Sequence, residues 1–197
     1  MENKKYISAF KAKLNSYSPI SEQSWNLIDQ LITFKTVNKD ETILNQGRVA
    51  KDIYFVCKGV LRAYTTDMDG NFYTKNLFLE NQLAGSTVSY LLSKPSHFII
   101  DALEDSIIIS INYKAYRHLI DTNTDLKDFY IAYLEKNWVI DKEPREVSLV
   151  MEDAKKRYLH LLDTHPDIDQ RIQQKHLASH LGITPTQLSR IKKELKK

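Results

Sequence analysis

Cysteine is nearly absent from this chain: Cys57 stands alone among 197 residues. It cannot close an internal disulfide or build a thiolate zinc site by itself. It also falls far short of the roughly four thiolates that an iron–sulfur cluster requires. Its apolar neighbours, Ile53 to Val56, favour a packed thiol over a redox switch. Long apolar runs are lacking as well: a stretch such as Ile107-Ile108-Ile109 is far below the ~20 residues of a membrane helix. No apolar segment of the secretory kind follows Met1-Glu2-Asn3-Lys4-Lys5, so the expected location is the cytoplasm. Histidine is scarce where a barrel enzyme would need it. His97 is the only one between residues 35 and 112, too few for a cupin metal site of two or three histidines and a glutamate. His176 and His180 are four apart, a spacing that can hold a metal, but no acidic or cysteine partner accompanies them. A phosphate loop, a dinucleotide fingerprint and a nucleophile–base set are all missing. These absences leave no enzyme, no cofactor and no metal to expect.

What is present is an ordinary globular composition, 42% hydrophobic and 27% charged. At 197 residues the chain has room for one large domain and a small one. The net charge of +3 is unevenly spread. From Gln170 onward seven bases (Arg171, Lys175, Arg190, Lys192, Lys193, Lys196, Lys197) face one acid, Glu194, which gives +6 there and −3 for the remainder. A basic end on a mildly acidic body suits a polyanion, though a solvated lysine-rich tail would carry the same charge.

Periodicity divides the chain into three stretches. Residues 4–34 read as helical, with Tyr6, Phe10 and Leu14 four apart, then Ser21 capping a helix that carries Trp25, Ile28, Leu31 and Ile32. Residues 35–112 hold short β-branched and aromatic runs: Thr42–Leu44, Ile53–Val56, Val60–Tyr64, Phe72–Leu79, Phe98–Leu103 and Ile107–Ile111. Turn formers such as Lys58-Gly59 and Met68-Asp69-Gly70-Asn71 separate them, the pattern of an antiparallel roll or barrel. Within this block Gly85–Leu92 reads as one short helix. From Tyr116 the chain is helical, with Leu119, Leu126, Tyr130, Tyr133, Asn137 and Ile140 in one stripe widened by Phe129, Leu134 and Trp138. Such a seam serves a dimer interface or packs on the barrel. Pro144 breaks or restarts the helix, and Val147, Val150, Met151, Ala154, Tyr158, Leu161 and Leu162 build the next one.

The most specific signal runs from Gln174 to Lys193 and reads as two steeply crossing helices. Ala178 is small where they approach, and Gly182 supplies the left-handed turn. Leu177, Leu181, Ile183, Leu188 and Ile191 share a core. Thr184 caps the second helix, Pro185 takes its first position and Gln187 completes a capping box. With Leu188, Ile191 and Leu195 turned inward, Thr186, Gln187, Ser189, Arg190 and Lys193 remain outside. That is the hydrogen-bonding and cationic face of a recognition helix. Arg190 is the candidate guanine contact. Thr184, Thr186, Gln187 and Ser189 are candidates for bases or phosphates, and Lys175, Lys192 and Lys193 for phosphates.

The chain as a whole resembles the Crp/Fnr superfamily of bacterial transcription regulators. The resemblance rests on Gly47–Gly59, Asp67-Met68-Asp69-Gly70, Ala154–Tyr158 and above all Leu181–Ile191, and the five glycines fall where that pattern puts them. It implies an α+β fold: a cyclic-nucleotide-binding-like β-roll of the jelly-roll kind over residues 1–115, a dimerisation helix over 116–143, and a small all-α helix-turn-helix domain over 144–197 without a full wing. It also implies partners: a palindromic double-stranded operator, a second copy of the chain, RNA polymerase and a small-molecule effector. The family's recognition helix often reads Glu-x-x-Ser-Arg. Here Ser189 and Arg190 match while Thr186 replaces the glutamate, which alters the expected target. In nucleotide-binding members a glutamate holds the ribose and an arginine the phosphate. Here the stretches read Asn81–Ser86 and Lys94–Phe98, and no arginine lies between Arg62 and Arg117. Cyclic AMP is therefore not the expected effector. Gly85, Ser86, Thr87, Ser96 and His97, with Tyr130 and Tyr133 from the long helix, are the candidate pocket residues. A regulatory module that senses ligand without binding DNA is the alternative reading.

Overall fold

The computed structural model describes residues 2–195, the side chains at 145 and 149 aside. Two helices open the chain, α1 (Glu2–Asn15) and α2 (Glu22–Asp29). The four-residue spacing of Tyr6, Phe10 and Leu14 puts all three on the buried face of α1. Ser21 caps α2 by accepting the Ser24 N–H at 3.2 Å. Leu31 and Ile32, expected on this helix, lie beyond it, because α2 stops at Asp29 and the chain turns into a strand at Thr33.

Eight strands follow: β1 (Thr33–Val37), β2 (Thr42–Leu44), β3 (Asp52–Lys58), β4 (Leu61–Thr66), β5 (Phe72–Phe78), β6 (Leu83–Ala84), β7 (Ile99–Ala102) and β8 (Ser106–Asn112). They form two antiparallel four-stranded sheets, ordered β1-β8-β3-β6 and β2-β7-β4-β5. Strand alternation decides which core each residue enters. Val56 and Ile108 point between the sheets with Val37, Leu44, Leu61 and Ile100. Their neighbours Phe55 and Ile109 point outward and are covered by Phe10, Trp25 and Ile28. The turn from β3 to β4 needs Gly59, whose φ is +99° and whose missing Cβ would lie 2.1 Å from Ser106 Oγ. The short helix α3 (Thr87–Leu92) interrupts the strands between β6 and β7.

The helical half departs from a single long helix. Extended backbone at Asn123 separates α4 (Tyr113–Thr122) from α5 (Thr124–Leu134). A π-helical turn (Glu135–Ile140) then leads into α6 (Lys142–Met151). Pro144 has no N–H to give the carbonyl four residues back, and the helix widens just ahead of it rather than stopping. Glu152 is extended and Asp153 caps α7 (Ala154–Thr164). The apolar positions from Val147 to Leu162 thus belong to two helices, not one. The expected seam also divides. Leu126 and Phe129 are wholly buried under the roll, while Tyr130 and Tyr133 pack at its margin. Trp138 and Ile140 of that seam stay exposed, together with Ile131, Val139, Val147, Val150 and Met151. The chain ends in α8 (Ile168–Arg171), α9 (Gln174–His180) and α10 (Pro185–Leu195).

Candidate nucleic-acid interface

Helices α9 and α10 meet through a turn in which each backbone N–H from Leu181 to Thr184 has a partner. The Ile183 N–H donates to Ala178 O at 3.0 Å and the Gly182 N–H to Ser179 O at 3.2 Å, the paired bonds of a left-handed helix stop. Gly182 has φ +69° with open space around its missing Cβ, so glycine is needed there for conformation and not for room. The capping box forms as the sequence suggests: Gln187 N–H donates to Thr184 Oγ1 at 3.2 Å, and Thr184 N–H to Gln187 Oε1 at 2.8 Å. Gln174 Nε2 crosses to Pro185 O at 2.6 Å, tying the start of α9 to the start of α10. From α7, Arg157 holds the turn from behind, donating to Leu181 O at 2.9 Å and Glu152 O at 2.5 Å.

Beneath this frame Leu177, Ala178, Leu181 and Leu188 are buried with Tyr158, Ile168 and Ile172. Burial of about 100 Å² of apolar surface is worth ~2.5 kcal/mol, so this small core is a substantial part of what keeps the pair of helices folded. The Tyr158 hydroxyl donates to Asp169, and burial together with that carboxylate raises its pKa.

The candidate contact residues do not share one fate. Thr184, Thr186, Gln187, Arg190, Lys193 and Lys175 are exposed, and Ser189 is half-buried beside Leu188. Gln187 spends its Oε1 on the cap, which leaves Nε2 as the group free to reach outward. Lys192 is half-buried, 2.7 Å from Asp169 and over the Tyr158 ring. It is already neutralised within the module. Lys196 and Lys197, counted in the basic tail, lie outside the described residues.

The candidate effector residues come together except for one. Ser96 Oγ donates to Ser86 Oγ at 2.9 Å, and Ser96 and Ser86 are both buried. Tyr90 folds back over Gly85, where an added Cβ would lie 3.1 Å from its ring, and its hydroxyl donates to Thr87 Oγ1 at 3.1 Å. That ring stacks on Tyr113 with centroids 4.1 Å apart, and Tyr130 and Tyr133 pack on the same cluster. Burial, the largest cause, raises the Tyr90 pKa and takes Tyr133 up to about 12. Tyrosines whose hydroxyls stay neutral thus cluster at α3 beside Gly85 and Thr87. His97 is exposed and stands apart from this group. Cys57 is half-buried in β3, and burial pushes its thiol up to about 11.

One part of the arrangement had no signal in the sequence. Arg62 of β4 and Asp101 of β7 form a buried ion pair, and Arg62 also lies 2.7 Å from His176 Nδ1 on α9. Burial first, then the Arg62 charge, lowers the His176 pKa to about 4. Residues 39 to 114 positions apart cannot be paired by local periodicity. Among the described residues no group of three or more metal-ligating side chains occurs, and no helix is long and apolar enough to cross a membrane.

Comparison with known proteins follows the same division. Residues 34–123 match the cyclic nucleotide-binding domain family. No curated protein matches the chain by sequence. Among solved structures, FixK2 from Bradyrhizobium japonicum is 19% identical with a TM-score of 0.68, covering 84% of each chain. The c-di-GMP-responsive global regulator CLP of Xanthomonas campestris is 17% identical with a TM-score of 0.68, covering 89% of this chain and 92% of its own. The catabolite activator protein of Thermus thermophilus is 21% identical at a TM-score of 0.54, covering 93% and 86%. At these identities the likeness is one of fold. Residues 34–123 thus resemble the cyclic nucleotide-binding domain family, and the chain shares its fold with these solved structures.

Proposed function

We propose that this chain is a sequence-specific, DNA-binding transcription regulator that acts as a homodimer in the cytoplasm and is not an enzyme. The observation that carries this reading is the outward face of α10. Thr186, Gln187, Arg190 and Lys193 are exposed together on a helix whose opposite side is locked by Leu188 and by the capped turn. Hydrogen-bonding and cationic side chains in the first turns of such a helix suit base edges in a major groove, with Lys175 at a flanking phosphate. The functional units are residues 1–115 as the β-roll domain, 116–143 as the dimerisation helix and 144–197 as the DNA-binding domain. The exposed apolar side chains between Ile131 and Met151 support self-association, since burying them against a second copy removes them from water. Two copies related by a dyad then read half-sites ~34 Å apart.

The roll's ligand is not cyclic AMP. The stacked Tyr90 and Tyr113 rings stand in front of Gly85-Ser86-Thr87, and no arginine lies near in sequence to meet a phosphate. Titration calorimetry with cyclic AMP is expected to give no heat of binding, and a micromolar constant overturns this part. The whole reading is tested by selecting random duplex DNA against the purified protein and its Arg190→Ala variant. A palindrome enriched by the first and lost by the second is the expected result. The alternative, a ligand-sensing module without DNA binding, draws support from Lys192, whose charge is spent on Asp169. It wins if nothing is enriched with or without candidate small molecules.

A further inference from the structure

The sheet β2-β7-β4-β5 ends at β5, whose outer edge would ordinarily leave backbone groups open to any passing strand. Here α9 of the helix-turn-helix covers it. Ser179 Oγ donates to Phe72 O at 3.0 Å and accepts the Thr74 N–H at 2.8 Å, so one side chain satisfies two main-chain groups of the edge strand. One turn earlier on the same helix, His176 meets Arg62 at 2.7 Å, and its ring lies 5.4 Å from Phe72. Arg62 is not free to follow the helix: Asp101 holds it from β7, and its guanidinium lies 3.8 Å over the Tyr64 ring. A second anchor sits at α8, where Arg171 reaches Glu80 at 2.6 Å and Glu104 at 2.5 Å. Between these anchors Val60, Leu77, Leu79 and Leu103 of the roll share a core with Leu177 and Leu188.

We infer that this contact is a latch that fixes the recognition helix relative to the roll, and that His176 and Ser179 are positioning residues for operator binding. The inference rests on the DNA-reading function proposed above. The direction of the effect follows from which faces are used. The latch takes the inner side of α9, while Thr186, Gln187, Arg190 and Lys193 on α10 stay uncovered. Docking therefore does not hide the reading face; it sets where that face points. In a dimer, the separation of two recognition helices is then set by two latches in addition to the dimer seam. A released module must be re-ordered before both copies can seat at once, an entropic loss that a single half-site does not incur.

The test uses the full chain and two variants, His176→Phe and Ser179→Ala, which leave the buried Arg62–Asp101 pair intact. Thermal unfolding first establishes that both fold. Exchange of the Thr74 amide hydrogen then reads the latch without DNA, because that N–H donates to Ser179 across the interface. Faster exchange by about tenfold or more in both variants is expected, and unchanged exchange overturns the latch whatever the DNA results. Affinity is next compared for a duplex holding both half-sites and one holding a single half-site, taken from the selected palindrome. A five- to fiftyfold loss on the full operator, with less than twofold on the half-site, supports the positioning role. Equal losses on both duplexes, or a gain on the full operator, overturn it. If the unaltered protein selects no DNA, the DNA-reading function fails instead, and amide exchange still decides the latch.

Discussion

Gly59 shows how much a single residue can carry. It has φ +99°, and any side chain would drive its Cβ to 2.1 Å from Ser106 Oγ and 2.8 Å from the Ser106 backbone. Gly59→Ala is expected to cost at least ~2 kcal/mol in urea unfolding, combining backbone strain with a clash against main chain. Gly70→Ala, at φ +80° with nothing within 4 Å, is the control and should cost only ~1 kcal/mol. Equal costs would mean that the Ser106 contact is relieved by a small shift. Arg190 sits at the other extreme, exposed and outside the core. Replacing it with alanine should leave stability within ~0.5 kcal/mol while removing ~1–3 kcal/mol of discrimination at one base position, read by competition between operator and point-mutated duplexes. Both residues were legible in the sequence, because a turn glycine and a polar helix face leave local marks. Lys192 was not. It was a candidate phosphate contact, but Asp169 lies on another helix and sequence distance hides the pairing.

At the scale of elements, strands bounded by turn residues were found in the sequence almost one for one. β1 and β6 were the exceptions. β1 begins with Thr33 and Phe34, separated from a helix by three residues without a glycine or proline to mark the change, and β6 is two residues long. The long helix was overestimated in regularity, since its apolar spacing survives the extended break at Asn123 and the π turn before Pro144. What the sequence could not supply was the seating of α9 on β5. That seating gives a pH dependence with a definite sign. The His176 pKa is lowered to about 4, so the docked form holds the ring neutral, while a released His176 takes up a proton near its ordinary value. Docking is then fully present above about pH 6.5 and is lost as the pH falls towards 4. Arg62, Lys175 and Lys39 oppose the imidazolium and Asp40 favours it, with Asp101 held on the far side of Arg62. Thr74 amide exchange, corrected for intrinsic rate, should accelerate across this window in the unaltered chain. His176→Phe should show no such step. A step of equal size in both would assign the titration to another group.

For the whole molecule, the proposed pairing of two copies has two candidate apolar faces, and burial favours one of them. Leu126 and Phe129, which the periodicity placed in one stripe with Tyr130 and Tyr133, are consumed by the roll and cannot meet a second copy. Val150 and Met151 are about four-fifths exposed, and Val139, Ile140 and Val147 more than half exposed, on the segment that leads into α7 and the helices after it. A pair of charges there should separate the copies without touching the roll's core. Val147→Glu together with Val150→Glu is expected to convert a dimer near 46 kDa, twice the 23.0 kDa chain, into a monomer by sedimentation, with the melting of the roll little changed. Operator affinity should fall by at least a hundredfold, because the second half-site no longer binds as part of one molecule. The slope of log affinity against log salt should roughly halve with it, since half as many phosphates are neutralised per complex. A monomeric variant that kept the full slope and affinity would show that one copy suffices to read the site. It would also leave the exposed stripe to some other partner.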